Sequence, residues 1–543
     1  MVVFRRTCSR GTLRRRLGRL GLVLLSAFLA SPVVAIPPAQ AAASNLCVSP
    51  HPAAACSGFS ASNRFTTLTA AIAAASAGDS IDIYPGTYTD HPNVNKAGLR
   101  ITGVAGKTAT IFDGGGSTPI TVSAGGVVID GLSTRHGNGG IDAGNTPIAG
   151  DFTLMNFATD GNHSSLACST SHTCYGVWVV ASGNIVLANG TASGNGSSAG
   201  CSGNAPDAEH SPGFDGETCF GVLALSTGGK VTLTNLTANN NGTVGGPPAN
   251  CSLHETCFGV LADEVSGDVT LTKVTANGNG ASGDCAETGG SHQGDFCFGV
   301  GADGALGNVA MSQITANDNG AGGNCVATGD RGSDICYGIL DDGDTTGDFT
   351  LTDVQTNNNG ARRDCLADDS CLGVLIDGGS FGTGNATLTD VTADFNTAGR
   401  DCRGADGCFG VSVDGVIGNI TIADSQVNHN KAGGNCSRLE SCFGILAESD
   451  GRGNIVLHDV PANQNGASGT CTGGPNCWGV TADTITEVPE GPAGPGNVDL
   501  SGVSTNQNTG DGVDVNASGT ITITDLNSNL NGGQNLKTNK PPV

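Results

Sequence analysis

The side chains that could do chemistry in this 543-residue chain recur along it instead of gathering in one place. Six residues after a repeated cysteine, seven consecutive copies carry an acid: Asp263, Asp303, Asp342, Asp377, Asp414, Glu448 and Asp483. If the copies stack as strands, these carboxylates form a file spaced by about 4.8 Å, and each adjacent pair repels by roughly 0.9 kcal/mol even in water. Such a file attracts counter-ions, and hard oxygen ligands on a repeated turn suit Ca²⁺. Asp303, Asp342, Asp377 and Asp414 are the expected ligands. Asp before Gly, as at Asp303-Gly304, Asp377-Gly378 and Asp414-Gly415, is also a good turn former, so the file has a structural reading beside the ionic one.

Two other groupings could support catalysis. Asp341 and Asp342, with Asp344 nearby, form a carboxylate knot of the kind that acid–base hydrolysis of glycosides requires, although the surrounding residues read as a solvated turn. Abstraction of a proton beside a carboxylate needs a cation to neutralise that carboxylate and a base to take the proton. Arg135-His136 and Arg362-Arg363 are the best pairs for that task, and both are expected as loop charges outside the strands. His163, His172, His210, His254, His292 and His429 lack the i, i+4 spacing of metal ligands on one element and read as surface residues. Trp178 and Trp478 are the only tryptophans. Trp478 stands where other copies carry Phe or Tyr, which favours packing over sugar binding.

What must position these groups is a repeat. Aligned on one cysteine, the chain reads CYGVWV at 174, CFGVLA at 219 and 257, CFGVGA at 297, CYGILD at 336, CLGVLI at 371, CFGVSV at 408, CFGILA at 442 and CWGVTA at 477. Each copy is followed by a Gly-Asn or Gly-Asp turn and an alternating run such as KVTLTNLTANNNG from Lys230 or DVTLTKVTANGNG from Asp268. Alternation of apolar and polar residues predicts strands with one face inward. The runs end at Asn162, Asn195, Asn241, Asn279, Asn319, Asn359, Asn396, Asn430, Asn465, Asn508 and Asn531, at intervals of 33 to 46 residues that drop to 23 where no cysteine intervenes. Parallel stacking would place these asparagines one above another, with amides donating and accepting along the file. The bare unit is one solenoid coil, and the cysteine-bearing copies insert a loop into it. No sustained 3.6-residue pattern occurs, so helical solenoids are excluded.

The twenty cysteines after Cys8 fall into ten neighbouring couples: Cys47/Cys56, Cys168/Cys174, Cys201/Cys219, Cys251/Cys257, Cys285/Cys297, Cys325/Cys336, Cys365/Cys371, Cys402/Cys408, Cys436/Cys442 and Cys471/Cys477. Disulfides are favoured over zinc, because the gaps exceed knuckle spacing and paired histidines are missing. Pairing within each couple is expected, while a ladder between equivalent cysteines of adjacent coils stays open.

Seven arginines between residues 5 and 19, the apolar stretch Leu20 to Ala30 and small residues at Ala39 and Ala41 read as a secretion signal over residues 1–41. Its removal leaves 17 basic against 49 acidic side chains, a net charge of −32. Nucleic acid and anionic membranes are therefore poor partners. No later stretch is long and apolar enough for a transmembrane anchor.

Residues 65–90, FTTLTAAIAAASAGDSIDIYPGTYTD, followed by GLRITG at 98 and VVIDGL at 127, resemble the opening of pectin-lyase-like right-handed parallel β-helix proteins. Leu68 and Ile72 lie one turn apart in a short amphipathic helix, stopped at Gly78, that would cap the first coil. The resemblance implies an all-β, single-stranded right-handed parallel β-helix, and it covers most of the mature chain. Enzymes of that superfamily present Asn-Thr-Asp and Gly-His-Gly segments that this chain lacks. The expected organisation is a signal over 1–41, an N-terminal segment with Cys47/Cys56 over 42–64, a capping helix and first strand over 65–97, the β-helix over 98–533, and a loose tail over 534–543. The expected function is that of a secreted or cell-surface structural, adhesive or glycan-binding protein, with an extracellular polysaccharide or cell-surface glycan as partner. The alternative is a Ca²⁺-dependent polysaccharide lyase, epimerase or glycoside hydrolase.

Overall fold

The computed structural model describes residues 44–162, 173–196, 217–242, 255–263, 265, 267–280, 285–286, 296–303, 306–321, 325–326, 335–342, 346–361, 365–366, 370–378, 384–398, 401, 408–436, 442–449, 453–468, 477–484 and 495–543. The expected secretion signal lies outside them, as do Arg362, Arg363, five of the six histidines considered above, and Cys168, Cys201, Cys251, Cys402 and Cys471.

Alternation decides the strands. In Val231–Thr237 the side chains of Val231 and Leu233 are buried and those of Thr232 and Thr234 half-buried. Asn235 then takes a φ of 53°, which bends the chain and returns Leu236 to the interior. The same corner is made by Asn156, Asn189, Lys273, Gln313, Asp353, Asp390, Asp424, Asp459 and Asp525. Asn and Asp predominate because, after glycine, they enter the left-handed region at least cost.

Parallel pairing stacks these strands into one sheet of fifteen described rungs, from Asn45–Val48 through Ser80–Ile83, Arg100–Gly103 and Val127–Asp130 to Ile521–Thr524. At about 4.8 Å per rung the stack rises roughly 67 Å. A second sheet of 14 parallel strands runs from Asn93–Val94 to Leu536–Thr538 and contains the Cys-aromatic-Gly segments. The fold is a right-handed parallel β-helix, the hand that right-twisted strands impose on parallel crossovers. Between the sheets lies one continuous core, from Leu46 to Ile521, of mainly Val, Ile, Leu and Ala. Full burial of each larger aliphatic side chain there contributes about 1.5–3 kcal/mol.

Two expected boundaries move. Asn45–Val48 pairs residue for residue with Ser80–Ile83, so the first rung lies at residue 45, inside the segment expected to precede the β-helix. The capping helix, Leu68–Ala74, is an excursion between the first two rungs; Thr67 accepts a hydrogen bond from Ala70 N as its N-cap, and Leu68, Ala71 and Ile72 are buried. Phe65 belongs to the strand before it. The tail expected to be loose is also tied down. Leu536–Thr538 pairs with Val513–Val515, Lys537 Nζ meets Asp514 at 2.6 Å, and Asn539 N donates to Val515 O at 3.1 Å. Its strand was hidden because it is only three residues long and mostly exposed.

Candidate functional site

The asparagines at the strand ends form an unbroken file of hydrogen bonds. Asn279 N and Nδ2 both donate to Asn319 Oδ1, at 3.0 and 3.1 Å. Asn319 does the same to Asn359, at 2.9 and 3.1 Å, and Asn359 to Asn396, at 3.0 and 3.0 Å. The file runs from Asn162 through Asn195, Asn241, Asn430, Asn465 and Asn508 to Asn531, and its members up to Asn508 are buried. It also accounts for the glycine of every CFGV segment. A Cβ on Gly259 would stand 2.7 Å from Asn279 Nδ2 and 2.6 Å from Gly299 O, and Gly338 faces Asn359 Nδ2 in the same way at 2.6 Å.

Two further files escaped the sequence reading. One precedes the strands: Asn308, Asp348, Asn385, Asn419 and Asn454 each accept the backbone N–H of the corresponding residue one coil later, at 2.9 to 3.0 Å. The other lies two residues before the first file, where Asn239, Asn277, Asn317, Asn357, Asp394, Asn428 and Asn463 do likewise. The recurring Gly-Asn/Asp and Asn-x-Asn spacings are their sequence signal. Within the last file, burial pushes the Asp394 carboxyl above its usual range against the hydrogen bond from Asn428.

The best-organised ionic group sits near the start of the β-helix. Arg135 ends the strand Ser133–Arg135 directly opposite Asp113, so it is held in a strand ladder, contrary to its expected place among loop charges. Arg135 Nε donates to Asp113 Oδ2 at 3.0 Å, His136 Nδ1 lies 3.1 Å from the same oxygen, and Gly115 N donates to Asp113 Oδ1 at 3.3 Å. Burial raises the Asp113 carboxyl, but the hydrogen bonds from His136, Arg135 and Gly115 outweigh it and hold the group below the ordinary carboxylate range. Asp113 was not singled out from sequence, because it lies 22 residues before Arg135 and only the coil closes that gap. The arrangement engages the imidazole through Nδ1 while the His136 side chain stays 63% exposed.

Asp341 and Asp342 are the last residues of the strand Ile335–Asp342, where a turn was expected. Asp341 is only 1% exposed, stands opposite the core residue Ile376, and lines a cavity of about 20 Å³ with Phe349, Ala386 and Val416. That volume holds one water molecule and no substrate. The coils carrying Arg135 and Asp341 are five rungs apart in the second sheet, roughly 24 Å, so the structure does not bring these two candidates together.

The acid file is assembled in three stretches: Asp263 with Asp303, Asp342 with Asp377 and Asp414, and Glu448 with Asp483. A register shift between Val413 and Val416 separates the last two. Asp414 Oδ1 accepts from Gly415 N at 2.6 Å, and Asp483 Oδ2 from Asn516 Nδ2 at 3.1 Å. Asp377 and Asp414 are half-buried on adjacent rungs.

Cys47–Cys56 and Cys436–Cys442 are bonded within their couples. Cys174, Cys219, Cys257, Cys297, Cys336, Cys371 and Cys477 are disulfide-bonded as well. Equivalent cysteines stack from Cys174 to Cys408, and Cys285, Cys325 and Cys365 stack in a small sheet of their own. The aromatic neighbours form a second file, with Phe220, Phe258 and Phe298 nearly parallel at centroid spacings of 5.0 Å. Trp478 packs edge-on against Phe443 at 5.3 Å, with Lys537 Nζ 5.2 Å from its ring.

No protein-family model matches the chain, and no curated protein sequence does. Among solved structures, the A-module of the mannuronan C-5 epimerase AlgE6 of Azotobacter vinelandii is similar at 10% identity over 87% of this chain and 94% of that one, with a TM-score of 0.25. A likeness at that level carries no argument, and the fold assignment stands on the strand pairing.

Proposed function

We propose that the protein is a secreted or cell-surface scaffold without catalytic activity that holds a long, regular face against an extracellular glycan. The observation that carries this reading is the placement of the candidate groups. Asp341 is sealed in the core, Arg135 and His136 are both engaged by Asp113, and the acid file is spread along the rungs. The asparagine and aspartate files among the described residues bind one coil to the next. Among the described residues no helix is long and apolar enough to cross a membrane. Ca²⁺ held by Asp303, Asp342, Asp377 and Asp414 belongs to the same reading as a brace between rungs.

The test is a panel of uronate-containing and neutral polysaccharides, with Ca²⁺ and with chelator, followed by reducing ends and unsaturated products. Retention on one immobilised glycan without product supports the scaffold. Turnover abolished by Arg135→Ala or Asp341→Asn would establish the polysaccharide-active alternative instead.

A further inference from the structure

At one place among the described residues the sulfur atoms of two neighbouring coils approach one another closely. Cys436 and Cys442 form a disulfide within one coil, and Cys477, from the next coil, is itself disulfide-bonded. The three Sγ atoms nevertheless lie within 4.8 Å of one another, and all three residues are 0–2% exposed. They belong to one buried cluster that also holds Cys174, Cys219, Cys257, Cys297, Cys336 and Cys371, with only the small side chains of Ala361, Ala398, Ala432 and Ala467 among them. Backbone register sets each cysteine from Cys174 to Cys371 opposite its equivalent one rung away. Rungs are about 4.8 Å apart, inside the Cα separation of about 4.4–6.8 Å that a disulfide spans, so a bond between in-register cysteines of adjacent coils needs no rebuilding of the backbone. Three sulfurs at this spacing would suit a soft metal only as thiolates, whereas here they are oxidised.

We infer that the stacked disulfides form an exchange relay, in which a thiol created in one coil is passed to the next. The step is redox-neutral. A freed Cys436 loses its proton to solvent, and the thiolate attacks Cys477 Sγ. The Cys436–Cys477 bond forms as the bond from Cys477 to its former partner breaks, and that partner leaves with the electron pair and takes up a proton. The relay lets mispaired cysteines re-sort while the coils are already stacked.

The experiment uses the full mature chain carrying Cys442→Ser, held folded at pH about 9, where much of an ordinary thiol is ionised, then acid-quenched, alkylated and mapped without reduction. The Cys436 peptide should be recovered joined to the Cys477 peptide, with Cys436 alkylation at least about tenfold below that in a Cys442→Ser/Cys477→Ala double variant. Cys436→Ser, which frees Cys442 beside the same Cys477, should give the matching Cys442–Cys477 link. If these variants do not fold, the unsubstituted chain incubated with less than one equivalent of a dithiol supplies the same readout. Recovery of the freed cysteine as an alkylated thiol, or of only within-couple bonds in the dithiol-treated chain, overturns the relay.

Discussion

Most asparagines of the buried file, from Asn241 to Asn465 and again at Asn531, satisfy two donors of the previous coil with one oxygen, so removing one such side chain strands several polar groups at once. Asn319→Ala leaves Asn279 N and Nδ2 without their acceptor, and an unmet buried donor costs about 1–3 kcal/mol. We expect a loss of about 2–4 kcal/mol in urea unfolding, whereas Asn239→Ala, at the half-buried file two residues away, should cost less. Asp113 makes a pH prediction at the same scale. Its folded-state pKa lies below the unfolded value, so its contribution is present above the ordinary carboxylate range and is lost as pH falls through the folded pKa. The melting temperature of Asp113→Asn should therefore sit below the parent at pH 6, and the gap should close on acidification toward pH about 2. A constant gap would show that the ion pairs to Arg135 and His136 are incidental.

The strand elements depend on a glycine that composition alone makes look dispensable. Gly259→Ala places a methyl against Asn279 Nδ2, Ala276 Cβ and Gly299 O, all within 2.7 Å and all in other segments of the stacked coils. The expected loss is about 2 kcal/mol or more by chemical unfolding, while the same change at Gly106, which has open space but a φ of +79°, should cost about 1 kcal/mol through backbone strain alone. The acid file gives the second test at this scale. Calorimetric titration with Ca²⁺ should show binding that weakens when Asp377→Asn and Asp414→Asn are combined, with a matching loss of the Ca²⁺-dependent rise in melting temperature. A flat titration of the parent removes Ca²⁺ from the reading. These strands also show why Asp341 was misplaced from sequence. Asp341-Asp342-Gly343 has the composition of a turn, but stacking on Ile376 extends the strand to Asp342, and alternation turns Asp341 inward.

Stacked coils interact mainly with their neighbours, so the β-helix should tolerate removal of a whole turn while resisting a partial one. Deleting residues 280–319 removes the Cys285/Cys297 couple together, joins Asn279 to Gly320, and keeps every file in phase. The shortened chain should fold with parallel-sheet circular dichroism and a melting temperature close to the parent. Deleting residues 280–299 puts the strands and asparagines out of register and should leave an aggregation-prone product. Equal behaviour of the two deletions would show that cooperativity extends beyond adjacent coils.

The repeat, the strand alternation, the buried asparagine file, the capping helix and the Cys47/Cys56 and Cys436/Cys442 couples were legible in the sequence, because each is a local pattern of the chain. Asn279 and Asn319 could be matched without knowing what lay between them. What the tertiary structure decided was every contact that joins unlike positions. Pairing of Asn45–Val48 with Ser80–Ile83 across the capping helix, closure of Asp113 onto Arg135 and His136, burial of Asp341, and the approach of Cys477 to the Cys436–Cys442 bond leave no periodic trace. Repetition makes like positions readable in advance, whereas contacts between unlike positions depend on the turn of each coil, which exists only once the chain is wound.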